Sequence, residues 1–478
     1  MRLPRTDRGR LLTVLALATT VAVFTATVPL LRDWFDLRVY HGAVDAWIHH
    51  GGRIYDYRVP GTEYGFTYPP FAAVSMLPMA LLGLPAAIAV GLLLNLAATA
   101  FVLHVLAPYG LRRHGWFGFA VAVCLLALLE PVRDTFSFGQ VNLLLLALVL
   151  IDARLLSTDH SRGRGGSRWA GVGIGLAAAI KLTPAIFIVL LLLARRPRAA
   201  ATATAVAAAA TALAAWAAPD ASRFYWTEAV WDTTRIGRLA YVSNQSLQGV
   251  LARLAAPAEP SHAAWALAAL AVLAVWAWRA HRALVGDDLP GAFALTGLAA
   301  CLVSPITWVH HLVWLLPSFA ILAEAGLRRR RLWWLAGAAY GLLCSSVVWL
   351  WFDDASGIDG FVGSNAYVWI TLGLLLGLPV GQPRVNRPPW SRSARTTTPA
   401  PRPAAPAITP ACDNQPSEPP EPVAPASAAM AAGSAAGPAC GTGRGGASEP
   451  TGSTRPAAPK PQSSSERASS YTANPPPD

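Results

Sequence analysis

Runs of about twenty residues with almost no charge recur through roughly the first 380 positions of the chain, and nothing else restricts its fold so strongly. Positions 11–31, 85–106 and 332–351 are examples. At ~1.5 Å of rise per residue, such a run in helical form matches a ~30 Å hydrocarbon core. Inside hydrocarbon every backbone N–H and C=O must find a partner within the chain, which leaves helices for segments of this length. An all-α polytopic membrane protein is therefore expected. Composition agrees: 13% of the 478 residues are charged, about half the ~25% of an ordinary soluble domain. The 18 tryptophans suit the membrane–water interfaces, where that side chain is favoured.

About twelve transmembrane segments can be threaded, at 11–31, 85–107, 116–131, 139–153, 169–181, 184–195, 199–218, 263–279, 290–305, 308–326, 332–351 and 363–381. With the N-terminus in the cytoplasm, the inner connections up to 381 hold 19 Arg against 6 acidic residues, and the outer ones 9 Arg against 14. This is the positive-inside pattern. It accounts for most of the net charge of +12 and calls for no nucleic-acid partner. The basic lead-in (Arg2, Arg5, Arg8, Arg10) would suit a secretory signal. No small-residue cleavage site follows before Arg32, so 11–31 is expected to be a retained helix.

Segments 169–181 and 184–195 are each too short to span, and they suggest a hairpin broken at 181–184. Such a break needs protein or a cavity around it. Residues 66–83 carry Tyr68-Pro69-Pro70-Phe71 near their start and are expected to be re-entrant or interfacial. Two parts follow: a membrane domain at 1–381 and a Pro/Ala/Ser-rich segment at 382–478. The latter cannot bury enough apolar surface to offset chain entropy and is expected to be a disordered cytoplasmic tail. The five cysteines (Cys124, Cys301, Cys344, Cys412, Cys440) show no metal-binding spacing and are expected to be unpaired.

Polar residues that could carry chemistry gather in or beside the outer connections. Asp36 and Tyr40 are four apart and would share a helix face. A carboxylate just outside the first span could accept a proton from a sugar hydroxyl, although on spacing alone a solvated loop acid is the plainer alternative. Lys181 is the sole lysine of the membrane domain. An ionisable group inside apolar sequence is a functional candidate by default, and as a compact cation it suits phosphate; the alternative is a lysine snorkelling to the interface. Arg133, within Glu130–Asp134, is a second candidate for phosphate, and Gln140 and Asn142 for hydroxyls. Capping and a local Arg–acid pair would explain the same residues. Asn244 and Gln245 suit sugar hydroxyls as well as ordinary turns do. His310 and His311 would point about 100° apart on a helix. They cannot clasp one metal together, so one is expected to face a cavity and bind phosphate or sugar while the other packs. No Walker loop, GxGxxG or HExxH occurs, so nucleotide binding and zinc hydrolysis have no support.

These residues fall into seven short motifs that stand in the order of glycosyltransferase family 87. They are Asp36-x-x-x-Tyr40, Gly51-Gly52-x-x-Tyr55, Phe66-Thr67-Tyr68-Pro69-Pro70-Phe71, Phe138-Gly139-Gln140-x-Asn142, Ala179-Ile180-Lys181-Leu182-Thr183-Pro184, Ser243-Asn244-Gln245-Ser246 and Ser304-Pro305-x-x-Trp308-x-His310-His311. Each is weak alone; together the chain resembles that family over about 30–320. The resemblance implies a GT-C-like helical bundle that moves a sugar, mannose in the first place, from a polyprenyl phosphate to a glycolipid or lipoglycan acceptor. It implies inversion to an α-mannoside, and likeness to actinobacterial α-1,2-mannosyltransferases implies that linkage. It further implies Asp36 as general base, a cationic site for the departing phosphate, and no metal. On the reading of the residues themselves, Lys181, His310, His311 and Arg133 are the candidates for the phosphate and Tyr40, Tyr68, Gln140, Asn142, Asn244 and Gln245 for sugar and acceptor, with membrane lipids as the other partners and no cofactor expected. An arabinosyl donor, a secondary transporter and a non-catalytic scaffold are the competing expectations.

Overall fold

The structure, a computed structural model, describes residues 6–27, 33–107, 112–160 and 167–381. The tail expected at 382–478 lies outside them. Among the described residues there is no strand, only an isolated bridge between Arg58 and Gly65. In chain order the helices are α1 (Asp7–Thr27), α2 (Phe35–His49), α3 (Pro70–Ser75), α4 (Leu84–Leu106), α5 (Gly115–Leu128), α6 (Glu130–Phe138), α7 (Asn142–His160), α8 (Val172–Ile180) and α9 (Ile186–Leu193). Then come α10 (Pro197–Ala217), α11 (Pro219–Thr227), α12 (Leu247–Ala255), α13 (His262–Val285), α14 (Leu289–Val303), α15 (Leu316–Gly326), α16 (Arg330–Ser345), α17 (Gly357–Gly363) and α18 (Ala366–Gly377). Prolines open many of them: Pro70, Pro85, Pro131, Pro197, Pro219, Pro290 and Pro317 stand in first turns. There a missing N–H loses nothing and the fixed φ suits the helix.

By length and apolar character, five helices can cross a membrane: α1, α4, α10, α13 and the 3-10 helix Val309–Leu315 continued by α15. Two bent pairs, α5–α6 at 76° and α17–α18 at 56°, raise the number to seven. Length and apolar character alone do not establish the count of about twelve, because several apolar segments among the described residues fold as helices too short or too bent to meet that measure. The break at 181–184 is present. Lys181 is extended, with φ −147° and ψ 132°, and a 3-10 turn over Thr183–Ala185 leads into α9. Residues 66–83 form the six-residue α3 and the 3-10 helix Leu77–Leu81. Neither is long enough to cross hydrocarbon, in line with the non-spanning expectation.

Two apolar clusters form. The larger fills the helical bundle around α14, which is buried from Pro290 to Leu302. The smaller joins α2, the 54–73 segment and the start of α11 through Val39, Tyr40, Val44, Ile54, Phe66 and Tyr225. Val141 and Ile180 pack against both, so the seam between bundle and cap runs beside Gln140, Asn142 and Lys181. Within the bundle α8 lies hard against α7: a Cβ at Gly173 would come 2.2 Å from the Leu148 carbonyl oxygen. The same approach lets the buried Asp152 Oδ2 accept the Ile174 N–H at 2.7 Å. That bond satisfies one of the free donors at the start of α8 and gives an acid within the bundle its partner.

Candidate active site

Five separate stretches of chain meet at the seam. α2 brings Asp36 in its first turn and Tyr40 one turn later. Two imidazoles dock α2 on the 66–83 segment: His41 Nε2 lies 2.8 Å from the Leu82 carbonyl oxygen and His49 Nε2 lies 2.9 Å from that of Ala80. The Trp34 N–H donates to the Ser137 carbonyl at 3.2 Å, which fixes the start of α2 against α6. The 66–71 stretch supplies Tyr68, held by the Tyr55 hydroxyl, which donates to the Tyr68 carbonyl at 2.7 Å. Gly139 ends α6 at φ +69° and so turns the chain toward Gln140. Any Cβ there would also strike Leu37 at 2.6 Å. The break at 181–184 contributes Lys181, and the 3-10 helix after Trp308 contributes His311.

Their side chains form one hydrogen-bonded network. The Tyr40 hydroxyl donates to that of Tyr68 at 3.1 Å. Tyr68 donates to Gln140 Oε1 at 2.9 Å, and Asn142 Nδ2 donates to the same oxygen at 3.2 Å. Lys181 Nζ lies 3.2 Å from Asn142 Oδ1, 3.3 Å from the Tyr68 hydroxyl and 2.7 Å from His311 Nε2. A small cavity opens against Asn142, Lys181, Thr183, Cys301, Thr307 and His311. Asp36 stands at the other end, partly exposed, and the Gln140 side chain hydrogen-bonds its carboxylate. α2 lies outside the spans. Enclosure by protein pushes the Asp36 carboxyl up to about 6, against the opposing pull of the Gln140 bond and the Lys181 charge. Burial likewise pushes the Tyr40 hydroxyl well above its ordinary range, so it stays a donor at neutral pH. The arrangement thus offers a carboxylate able to take a proton near neutrality, a single lysine and a set of hydroxyl and amide groups between them.

Seven expected site residues come together here: Asp36, Tyr40, Tyr68, Gln140, Asn142, Lys181 and His311. His310 is adjacent but turned away. It packs on Phe138 at 5.7 Å between ring centroids, and its Nε2 makes no hydrogen bond. His311 thus lines the cavity while His310 packs beside it. Three expectations require correction. Arg133 is not part of the network. It donates to the Cys344 carbonyl at 3.2 Å and Ser346 Oγ at 3.1 Å and lies over the Phe24 ring at 4.7 Å, between α1 and α16. Asn244 is fully buried and committed to backbone. Its Nδ2 donates to the Leu239 and Pro305 carbonyls, and its Oδ1 accepts the Thr307 N–H at 2.9 Å. Gln245 is spent in the same way: Nε2 donates at 2.7 Å to the Val242 and Ser364 carbonyls, and Oε1 accepts the Val368 N–H. These two amides brace the loop that carries Trp308 and His311, and, fully buried with both N–H groups committed, they have no donor left for a sugar.

Gln245→Ala is accordingly expected to cost at least about 1–3 kcal/mol of stability, because buried backbone groups lose their partners. A thermal melt in detergent reads this, and the surviving protein should keep its substrate KM. An unchanged melt with a raised acceptor KM would return Gln245 to the binding site. One residue was missed. Asn95, buried in the middle of α4, donates from Nδ2 to the Gln140 carbonyl at 3.0 Å. An amide inside so apolar a helix was its sequence signal.

The fold defines a multi-span membrane protein with a buried polar site where bundle and cap meet. The model of glycosyltransferase family 87 matches residues 66–305, and the chain belongs to that family. Among its relatives is a polyprenol-phosphate-mannose-dependent alpha-(1-2)-phosphatidylinositol mannoside mannosyltransferase of Mycolicibacterium smegmatis. It is 36% identical over 64% of this chain and 73% of its own. A protein of the same name from Mycobacterium tuberculosis is 33% identical over 62% and 71%. A Mycobacterium tuberculosis relative whose name specifies phosphatidylinositol pentamannoside is 33% identical over 67% and 73%. No solved structure matches the chain significantly.

Proposed function

We propose that the protein transfers a mannosyl residue from polyprenyl-phosphate mannose to a phosphatidylinositol-mannoside-type glycolipid, forming an α-1,2 bond with inversion. One observation carries this reading. A partly exposed carboxylate and a lysine sit at opposite ends of one network of sugar-compatible donors and acceptors. In the reaction the acceptor hydroxyl would give its proton to Asp36 as its oxygen attacks the anomeric carbon. The anomeric C–O bond breaks with its electron pair passing to the phosphate oxygen, where Lys181 and His311 would hold the departing group. A positive charge on Lys181 once phosphate is bound, in a site of low dielectric, would stabilise such a leaving group strongly. Tyr40, Tyr68, Gln140 and Asn142 are assigned to the sugar and acceptor. The relatives named for the same donor and for mannosylated phosphatidylinositol support the choice of both substrates.

Purified protein incubated with polyprenyl-phosphate mannose and a mannosylated phosphatidylinositol tests this directly. A new α-1,2-linked mannoside with stoichiometric polyprenyl phosphate is expected. Transfer from an arabinosyl carrier alone, or no release of lipid phosphate, would refute the assignment. Residues 1–381 are proposed to suffice, so protein truncated after Gln382 should give the same product.

We further propose that the site faces the outside of the plasma membrane, with both ends of the membrane domain in the cytoplasm. The arginine asymmetry supports this orientation. A cysteine introduced beside Arg238 should be labelled by an impermeant maleimide added outside, and one beside Arg330 only after permeabilisation. Labelling of both from one side would overturn the orientation.

A further inference from the structure

The contact between Lys181 and His311 fixes more than proximity. The Trp308 N–H lies 3.1 Å from His311 Nδ1. A backbone N–H can only donate, so Nδ1 is the accepting nitrogen, and a neutral imidazole then carries its hydrogen on Nε2. Nε2 lies 2.7 Å from Lys181 Nζ, and its hydrogen needs a lone pair there. An ammonium has none; a neutral amine has one, with two hydrogens besides. Those two hydrogens have acceptors in Asn142 Oδ1 at 3.2 Å and the Tyr68 hydroxyl at 3.3 Å. Both acceptors are free to act so, because Asn142 Nδ2 and the Tyr68 hydroxyl each already donate to Gln140 Oε1. Every hydrogen and lone pair around Nζ is then matched.

Turning the imidazole over would put carbon at both contacts and lose both bonds. The Ile306 carbonyl also lies near the ring, and it would favour a hydrogen on Nδ1. That oxygen has a partner without the ring, since it accepts the Ser304 hydroxyl at 3.0 Å, whereas a hydrogen on Nδ1 would leave the part-buried Trp308 N–H with no acceptor among the described residues. The ionisable groups facing the pair are Asp36 and Tyr40 from α2, Tyr68, Cys301 from α14, and His310. A neutral amine also avoids the cost of keeping a bare ammonium inside an apolar bundle.

We propose that, before the donor binds, Lys181 is a neutral amine locked by His311, and that an arriving phosphate group draws in a proton and converts it to the cation. The proton comes from water. The phosphate oxygens take the place of the imidazole as partner to Nζ, and the new ammonium offsets the second negative charge that appears on phosphate when the anomeric C–O bond breaks. The proton that Asp36 removes from the acceptor is a separate one. The coupling rests on the phosphate role proposed above, while the protonation state before the donor binds does not.

Two measurements separate these parts. Competitive labelling with a small neutral acylating reagent, read by mass spectrometry, follows Lys181 across pH beside a free lysine amide. The reactivity of Lys181 should level off by about pH 8, while the free amine continues to rise toward its pKa of about 10.4. Burial lowers the rate but leaves the shape of the profile. The second measurement is calorimetric titration with a short isoprenyl methyl phosphodiester, whose charge does not titrate near neutrality, in buffers of different ionisation heat. Uptake of about one proton per molecule bound is expected at pH 8. Lys181→Arg, which is always charged, should bind without uptake. A phosphodiester that fails to bind would remove the phosphate role but leave the labelling result standing, and a reagent that never reaches Lys181 would leave the calorimetry to decide. A Lys181 profile that tracks the free amine, or binding without proton uptake in the unaltered protein, overturns the proposal.

Discussion

Asp36→Asn is expected to lower kcat by about 10²-fold or more while folding and donor binding persist. The amide keeps the shape of the carboxylate and its contact with Gln140 but cannot accept the proton of an acceptor hydroxyl. Asp33 is the control. It lies three positions earlier, is exposed, and makes only a loose 4.0 Å ion pair with Arg38, so Asp33→Asn should cost little. The pH profile supplies a second readout. Because enclosure raises the Asp36 carboxyl to about 6, the basic form fills as pH rises through that value. Activity should fall below it, and the acid limb should vanish in the Asn variant. Near-normal turnover by Asp36→Asn, or a greater loss in Asp33→Asn, would mean that the base lies elsewhere.

Lys181→Ala should lower kcat/KM for the donor by about 10²–10³-fold, the scale on which removal of one charge-stabilising group acts, and should leave acceptor KM nearly unchanged. The asymmetry follows from position. Lys181 sits at the His311 end of the network, remote from the hydroxyl chemistry assigned to Asp36. The substitution also strips partners from Asn142 and Tyr68, so a melt must accompany the kinetics. Lys181→Met, of similar length and without charge, separates lost charge from lost packing. Unchanged donor kinetics in a folded Ala variant would make Lys181 a structural residue.

The sequence made these two residues visible for physical reasons. A lone lysine in an apolar segment and a carboxylate one turn from a tyrosine are both expensive or patterned features, and each stands out locally. The break at 181–184 was legible too, since neither half is long enough to span and Pro184 follows the lysine. Arg133, Asn244 and Gln245 were misjudged because their partners are remote in the chain. Arg133 reaches carbonyl and hydroxyl groups near 345, and Gln245 joins the backbone at 364 and 368. A polar side chain that braces backbone has the same composition as one that binds sugar, and only tertiary structure tells them apart. The count of about twelve spans is not established by helix length, for a related reason. Apolar runs of 9 to 16 residues, as in α8 and α16, are hydrophobic enough to thread but fold as short or interrupted helices once packed.

The interruption at 181–184 also bears on how the chain enters the membrane at all. Neither half-helix could partition stably by itself, and the first one delivers a lysine to the lipid before any partner residue from 301–314 has been synthesised. A central lysine costs about 2.5–3.5 kcal/mol on insertion. The eight residues of α9, Ile186–Leu193, are all aliphatic or aromatic and at about 0.3–0.6 kcal/mol each return a similar amount. The two halves are therefore balanced only as a pair. Chain biogenesis must release them laterally together, and a polar substitution within 186–193 would be felt at the translocon, before catalysis is ever at stake.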